Sequence, residues 1–527
     1  MDNALNAVTS PLQNRSMSSC KSSSWVRAAA ATGNRRRRRR GSRGICYKVI
    51  RMSRARFATR GACNALLVCA TLVWFDSGME WVRRASWAEL SAQPARLLWP
   101  PWNALRAYVS RDGDDRLYYE YSRLMLGEEA DLAYVATRQL GDPRAALARL
   151  QGAVRAGPGG RLPYRDFPFE YPPVPLAAIL LPRLFASTLP VYRAVFGALM
   201  GLCALAAALL GARLAQRLEP DGAETAARRA LLYLLAFGPL LVARFDALPV
   251  LLTTGALVLV CTGRPLRGGA LLGIATMAKL YPLLLLAPWL ALLLARGREG
   301  LREGARLCAG TVLGAGAAAL PFLLACPGPF AHSVSLYGER PFQIESLVGG
   351  ALLVARGAAA VIGSFGSYNA NAPEALASAW TLVLPGLLVL LASGAYAQEK
   401  RAQSPDQASR IARLCAWTAA ALACILCASK VLSPQFLLWL FPAVLVLPGR
   451  AGTRVFRWAA AAALLTQSYY PYLYEPLLDG HPAAVALLTT RNLALLALLA
   501  ASAQAALRAG GQREPPPSLV TARSERN

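Results

Sequence analysis

The sequence predicts an all-α polytopic membrane protein, a bundle of about 12 transmembrane helices with a large outer loop after the first span. Three observations carry this. Of 527 residues, 55% are hydrophobic and only 16% charged, a balance tilted well away from soluble globular chains. Apolar runs of near-bilayer length recur from about residue 190 to the end. Arginine clusters separate alternate runs, as the positive-inside rule requires.

The formal net charge of +28 is unevenly placed, because residues 1–60 hold fifteen Lys/Arg against one Asp, with six consecutive arginines at 35–40. Residues 1–60 read as a disordered, basic cytoplasmic tail lying beside anionic lipid. An arginine run can also bind nucleic acid, but no nucleic-acid partner is expected here. No secretory signal is read, since the basic stretch is too long before the first apolar run and no small-residue cleavage site follows cleanly. Most of the 11 cysteines fall inside apolar runs and read as small hydrophobes rather than as a disulfide framework. His332 and His481 are far apart, and no CxxC pair has a matching partner, so no metal site is expected from them.

The membrane domain is expected over 61–507. Its first span, 62–75, is short and contains Asn64. The first outer loop, 76–171, is rich in Trp, Arg and Asp. Further spans are placed near 190–211, 229–243, 247–262, 268–281, 283–295, 305–325, 376–396, 411–428, 433–448, 454–469 and 484–507. Several are shorter than the roughly 20 residues a perpendicular helix needs, so they must be kinked, paired or shielded by neighbours.

The loops fix the orientation. Arg213, Arg217, Arg228 and Arg229, then Arg264 and Arg267, then Arg296, Arg298, Arg302 and Arg306 fall on one side. Lys400, Arg401, Arg410, Arg413, Arg450, Arg454, Arg457, Arg508 and Arg513 follow on the same side, the cytoplasmic one. The alternation requires 268–295 to break at Lys279-Leu280-Tyr281-Pro282. It leaves both termini inside, with 508–527 a cytoplasmic tail. A second outer loop, 326–375, then contains 347–366, which parity makes a re-entrant or surface helix. Nearly every unusual polar residue lands on the outer face, and any chemistry is expected there.

Two carboxylates, an arginine and four aromatic rings stand among four prolines in Pro163-Tyr164-Arg165-Asp166-Phe167-Pro168-Phe169-Glu170-Tyr171-Pro172-Pro173. The prolines forbid a regular helix. The stretch reads as a fixed, water-facing surface at the lip of a cavity, or as a headgroup-level marker where a helix enters the membrane. Ionisable groups at membrane helix ends are costly and mark function by default. Arg244 and Asp246 flank Phe245, Lys279 interrupts an apolar run, Arg340 and Glu345 bracket Gln343, and Lys430 precedes Ser433-Pro434-Gln435. Arg244, Lys279, Arg340 and Lys430 could converge on a phosphate group. Each could instead snorkel or pair locally, Arg244 with Asp246 for instance. In Arg111-Asp112-Gly113-Asp114-Asp115-Arg116, a carboxylate could act as general base or, as the pair Asp112 and Asp114, help hold a divalent cation. The acids could equally cap a helix over 117–126.

In these residues the chain resembles glycosyltransferase family 87, membrane mannosyltransferases with a GT-C-like fold. The resemblance rests on 163–173, on Arg244-Phe245-Asp246-Ala247-Leu248-Pro249 and on Lys279-Leu280-Tyr281-Pro282. It continues in Gln343-Ile344-Glu345-Ser346, in Ser433-Pro434-Gln435-Phe436-Leu437-Leu438-Trp439 and in Arg491-Asn492, and covers about residues 62–507 in order. An insertion over 128–160 departs from the family pattern. The resemblance implies an enzyme of the plasma membrane, working on the outer face with a polyprenyl-phosphate sugar donor (mannose by analogy) and a glycolipid or glycan acceptor. It implies inversion at the sugar, with Asp115 and then Asp114 as the first-loop base. It implies donor-phosphate contacts from Arg244, Lys279, Arg340 and Lys430. Substrate contacts are implied for Tyr164, Asp166, Glu170, Tyr171, Asp246, Tyr281, Gln343, Glu345 and Gln435. The rival classes are a lipid or sugar transporter or flippase, and a non-catalytic member of the same fold.

Overall fold

The computed structural model describes residues 113–509, apart from 139–142, 156, 158, 403–405 and 472. The expected N-terminal tail, first span and early outer loop, including Arg111 and Asp112, lie outside the described residues, as does the chain from 510 onward.

Among the described residues the fold is helical, with one two-stranded hairpin. Each of the segments expected from 190 onward coincides with helix, from Leu189–Ala215 through to Pro482–Arg508. Five of these are long and apolar enough to cross a membrane: Leu189–Ala215, Arg298–Ala325, Glu374–Arg401, Gln407–Ala428 and Pro482–Arg508. The first, second, third and fifth leave large apolar side chains such as Leu209, Val312, Val389 and Leu493 exposed, as lipid-facing helices do. Gln407–Ala428 is different. It is buried almost throughout its second half and packs against Pro482–Arg508, Val383–Arg401, Leu286–Leu294 and Phe441–Val446, so an all-round apolar sequence becomes the centre of the bundle.

The break at Lys279 is real: the helix Pro265–Thr276 ends, and a 3₁₀ turn, Tyr281–Leu285, leads into Leu286–Leu294. Pro282 cannot supply the amide a continuous helix would need. Pro265–Thr276 packs along Arg298–Ala325 through glycines spaced four apart on both partners. A Cβ on Gly269 or Gly273 would overlap the backbone carbonyl of Leu307 or Thr311, and one on Gly310 or Gly314 would overlap that of Leu266 or Ala270. Small residues at this spacing let two backbones approach to van der Waals contact.

Two arginines expected in cytoplasmic connecting loops are buried ties. Arg229 is 6% exposed and donates to the Leu447 carbonyl at 2.6 Å. Arg413 is 1% exposed and pairs with Glu399, which also pairs with Arg296 at 3.1 Å. A buried guanidinium survives only with such partners. The described cysteines are free, and most of them are buried.

The stretch 347–366, expected as a re-entrant or surface helix, is only partly helix. Leu347–Arg356 is ten residues, about 15 Å long and half a bilayer core. A 3₁₀ turn at Gly357–Ala360 follows, then antiparallel strands Val361–Ser364 (β1) and Ser367–Ala370 (β2). Phe365 and Gly366, both at positive φ, make the two-residue hairpin turn.

Candidate active site

A cavity of about 1260 Å³ opens between the segments 113–171 and 340–368 and the ends of several bundle helices. Its wall includes Asp114, Asp115, Glu170, Tyr171, Arg193, Arg244, Lys279, Arg340, Gln343 and Glu345. The hairpin turn 363–368, Ser433 to Phe436, and Tyr470, Pro471, Tyr474 and Glu475 complete it.

The two first-loop acids open the helix Asp114–Leu126, which starts three residues before the expected 117. Gly113, not an Asp, is the N-cap, and both acids sit in the first turn, where the helix dipole favours negative charge. Each acid also meets a guanidinium across the cavity wall. Asp115 Oδ2 lies 2.6 Å from Arg193 Nε, and Asp114 is ion-paired with Arg244. Burial pushes the Asp115 carboxyl above its ordinary range, opposed by Arg193 and the Arg116 amide. Two further carboxyls, Glu170 and Glu345, line the same cavity. Burial raises Glu170 to about 7, opposed by the charge of Arg340 and by the Tyr121 hydroxyl. Burial raises Glu345 to about 7 as well, opposed chiefly by the Tyr474 hydroxyl, which donates to Oε1 at 2.8 Å.

The cations differ in how far they are already neutralised. Arg244 is paired with Asp114 and reaches the Tyr470 hydroxyl at 3.5 Å. Lys279 Nζ lies 2.7 Å from Asp246 Oδ1 and over the rings of Phe245, Phe436 and Trp439 at 5.1, 4.5 and 5.4 Å. Among the described residues Arg340 donates a 3.3 Å bond to Ser367 Oγ, and its buried Nε has no hydrogen-bond partner there. It stands within electrostatic reach of Glu170, Lys279 and Glu345.

Five expected site residues do not line the cavity. Asp246 lies beneath it, 2% exposed, accepting from Lys279 and from Trp439 Nε1 at 2.8 Å. Tyr281 is buried, stacked on Trp439 at 4.2 Å and bonded to Thr253 at 3.3 Å. Lys430 contributes its backbone carbonyl to the Gln343 amide, at 2.9 Å. Asp166 closes its own turn, accepting from the Leu162 amide at 2.7 Å and pairing with Arg165, which holds its carboxyl below the ordinary range. Tyr164, at φ +69°, turns inward to pack on Phe169, Phe322 and Phe330 and donates to the Tyr171 carbonyl at 2.6 Å. The 163–173 stretch is therefore mostly a buried aromatic clamp, and only Glu170 and Tyr171 reach the cavity. Arg193, Tyr474 and the hairpin turn were not anticipated, and Trp439 stood in a quoted motif without an assigned role. A cation in the first turns of the apolar helix from Leu189 was the available signal for Arg193.

Fold and site together define a helical membrane protein whose acids and cations gather on one large cavity. The sequence model of glycosyltransferase family 87 matches residues 169–434, just over half the chain, and the chain belongs to that family. It is a glycosyltransferase. Asp114 and Asp115 precede the matched residues, whereas Glu170, Arg244, Lys279, Arg340 and Glu345 lie within them. No curated protein and no solved structure matches the chain.

Proposed function

We propose that the protein transfers a sugar, mannose, from a polyprenyl-phosphate donor to a hydroxyl of a glycolipid or glycan acceptor. The observation that carries this is the shared cavity: two paired acids on one wall, and Arg340, a cation without a carboxylate partner among the described residues, on another. Arg340, with Arg244 and Lys279 beside it, binds the donor phosphate. Asp115, with Asp114 second, takes the acceptor proton as the acceptor oxygen bonds to the anomeric carbon. The bond from that carbon to the phosphate oxygen breaks, polyprenyl phosphate leaves with the electron pair, and the configuration inverts. Fixed guanidinium and ammonium groups stabilise the charge growing on the leaving group. Glu170, Tyr171, Gln343, Glu345 and Gln435 contact the substrates. Tyr164, Asp166, Asp246, Tyr281 and Lys430 hold the wall in place.

In this reading the chain crosses the plasma membrane about 12 times with both termini cytoplasmic, and the cavity opens on the outer face. The arginines at or near helix ends, Arg217, Arg264, Arg302 and Arg450, support that orientation. The experiment is to supply membranes carrying the protein with radiolabelled polyprenyl-phosphate mannose and to follow the label by mass analysis. Labelled acceptor in the wild type, lost in Asp115→Asn, supports the reading. Unchanged transfer in the double variant Asp114→Asn/Asp115→Asn overturns the base assignment.

A further inference from the structure

Glu345 is the most rigidly presented carboxyl on the cavity wall. It is fully buried, and Oε1 is taken by the Tyr474 hydroxyl at 2.8 Å, while Oε2 has no hydrogen-bond partner among the described residues. The chain on either side of it is fixed at several points. Arg491 Nη2 donates to the Glu345 carbonyl at 2.9 Å and to the Tyr469 hydroxyl at 2.7 Å. The Gln343 amide donates to Lys430 and the Ile344 amide to Tyr368, at 2.9 and 3.2 Å. Ser346 Oγ caps the helix Leu347–Arg356 by accepting from the Gly349 amide at 3.0 Å. Asn492 closes the remaining side so tightly that a Cβ on Gly350 would meet its Nδ2.

A buried oxygen left without a partner is costly, and one held this firmly on a cavity wall is built for a ligand. In its ionised form the carboxylate only accepts hydrogen bonds, and the group complementary to Oε2 is then a hydroxyl or N–H. Arg340 lies within electrostatic reach of Glu345. A phosphate on Arg340 would therefore bring the sugar it carries to this wall.

We propose that Glu345 Oε2 accepts a hydrogen bond from one hydroxyl of the transferred sugar and so determines which sugar is used. This rests on the transferase reading above. A site built around a substrate hydroxyl rejects the analogue that lacks it far more strongly than one that merely encloses it, because its own polar group is left unpaired.

The test supplies full-length protein in membranes with polyprenyl-phosphate mannose and its 2-, 3-, 4- and 6-deoxy analogues, and measures donor consumption. The wild type is expected to disfavour one deoxy donor by about 10- to 100-fold, the value of a hydrogen bond to a charged group. Glu345→Gln keeps the shape and an oxygen for Tyr474, and should collapse that one ratio towards unity while leaving the other three. A merely structural role would lower turnover of all five donors together and keep the ratio, which would overturn the proposal. If Glu345→Gln does not accumulate, Tyr474→Phe, which releases Oε1, must reduce the same ratio; an unchanged ratio there overturns it. If the wild type consumes none of the donors, the transferase reading itself falls, a result distinct from equal use of all five, which sinks this inference alone.

Discussion

Replacing Asp246 by Asn removes one charge from a buried pair and changes little else, because the amide oxygen can still accept from Trp439 Nε1. Asp246 is 2% exposed and the Lys279 side chain 14% exposed, at 2.7 Å. Breaking a buried pair by neutralising one partner costs about 3–5 kcal/mol, most of it the penalty of the stranded charge. Here the stranded ammonium sits at the cavity wall over three aromatic rings, which return about 0.5–2 kcal/mol. The net expectation is therefore about 3 kcal/mol, or roughly 3 °C of apparent melting temperature in a protein of this size. Heating detergent-extracted protein and recording the surviving monodisperse fraction by size exclusion measures it. Lys279→Met added to Asp246→Asn should recover at least half of the loss, since a neutral pair of similar volume is often as stable as the ion pair. If the double variant is less stable than Asp246→Asn alone, the charge pair is not what Asp246 contributes.

Other expectations follow from the same structure. Gly273→Leu drives a side chain into the Thr311 carbonyl and should cost at least 3 kcal/mol or abolish folding, because a backbone cannot yield as a side chain can. Gly316→Ala in the facing helix meets nothing within 4 Å and should gain up to about 1 kcal/mol in the same melting assay. Glu170, raised to about 7 by burial, binds its proton more tightly folded than unfolded, so the stability it lends is present below about 4.5 and fades as pH rises towards 7. Glu170→Gln should therefore gain on the wild type by on the order of 2 kcal/mol between pH 5 and 8, read as the difference between two melting-versus-pH curves; parallel curves would refute it. Asp115→Asn should lower sugar transfer by about 10²- to 10⁴-fold in initial-rate assays with labelled donor.

What the sequence made legible was set by local chemistry. Apolar runs of sufficient length gave the helices, and Pro282 gave the break after Lys279, because both effects act within a few residues. The inward turn of Tyr164 was not legible. Its ring is aromatic either way, and only a left-handed φ of +69° sends it into the core instead of the cavity. Pairing was hidden for a different reason. Asp114 meets Arg244, Asp246 meets Trp439 and Glu345 meets Tyr474 across 129 residues or more, and nothing in a residue's type names a partner that distant. This has a consequence for reading charge as function. Arg244 and Lys279 carry the same formal charge as Arg340, but each already faces a carboxylate within the low-dielectric wall, so an arriving phosphate must compete with that carboxylate for them. Arg340 has no carboxylate at ion-pair distance among the described residues, only Glu170 and Glu345 within longer electrostatic reach, so a phosphate there meets weaker competition. Removing the Arg340 charge should therefore weaken donor binding more than removing either paired cation, and donor titrations of Arg340→Gln and Arg244→Gln would show the reverse order if the pairing did not matter.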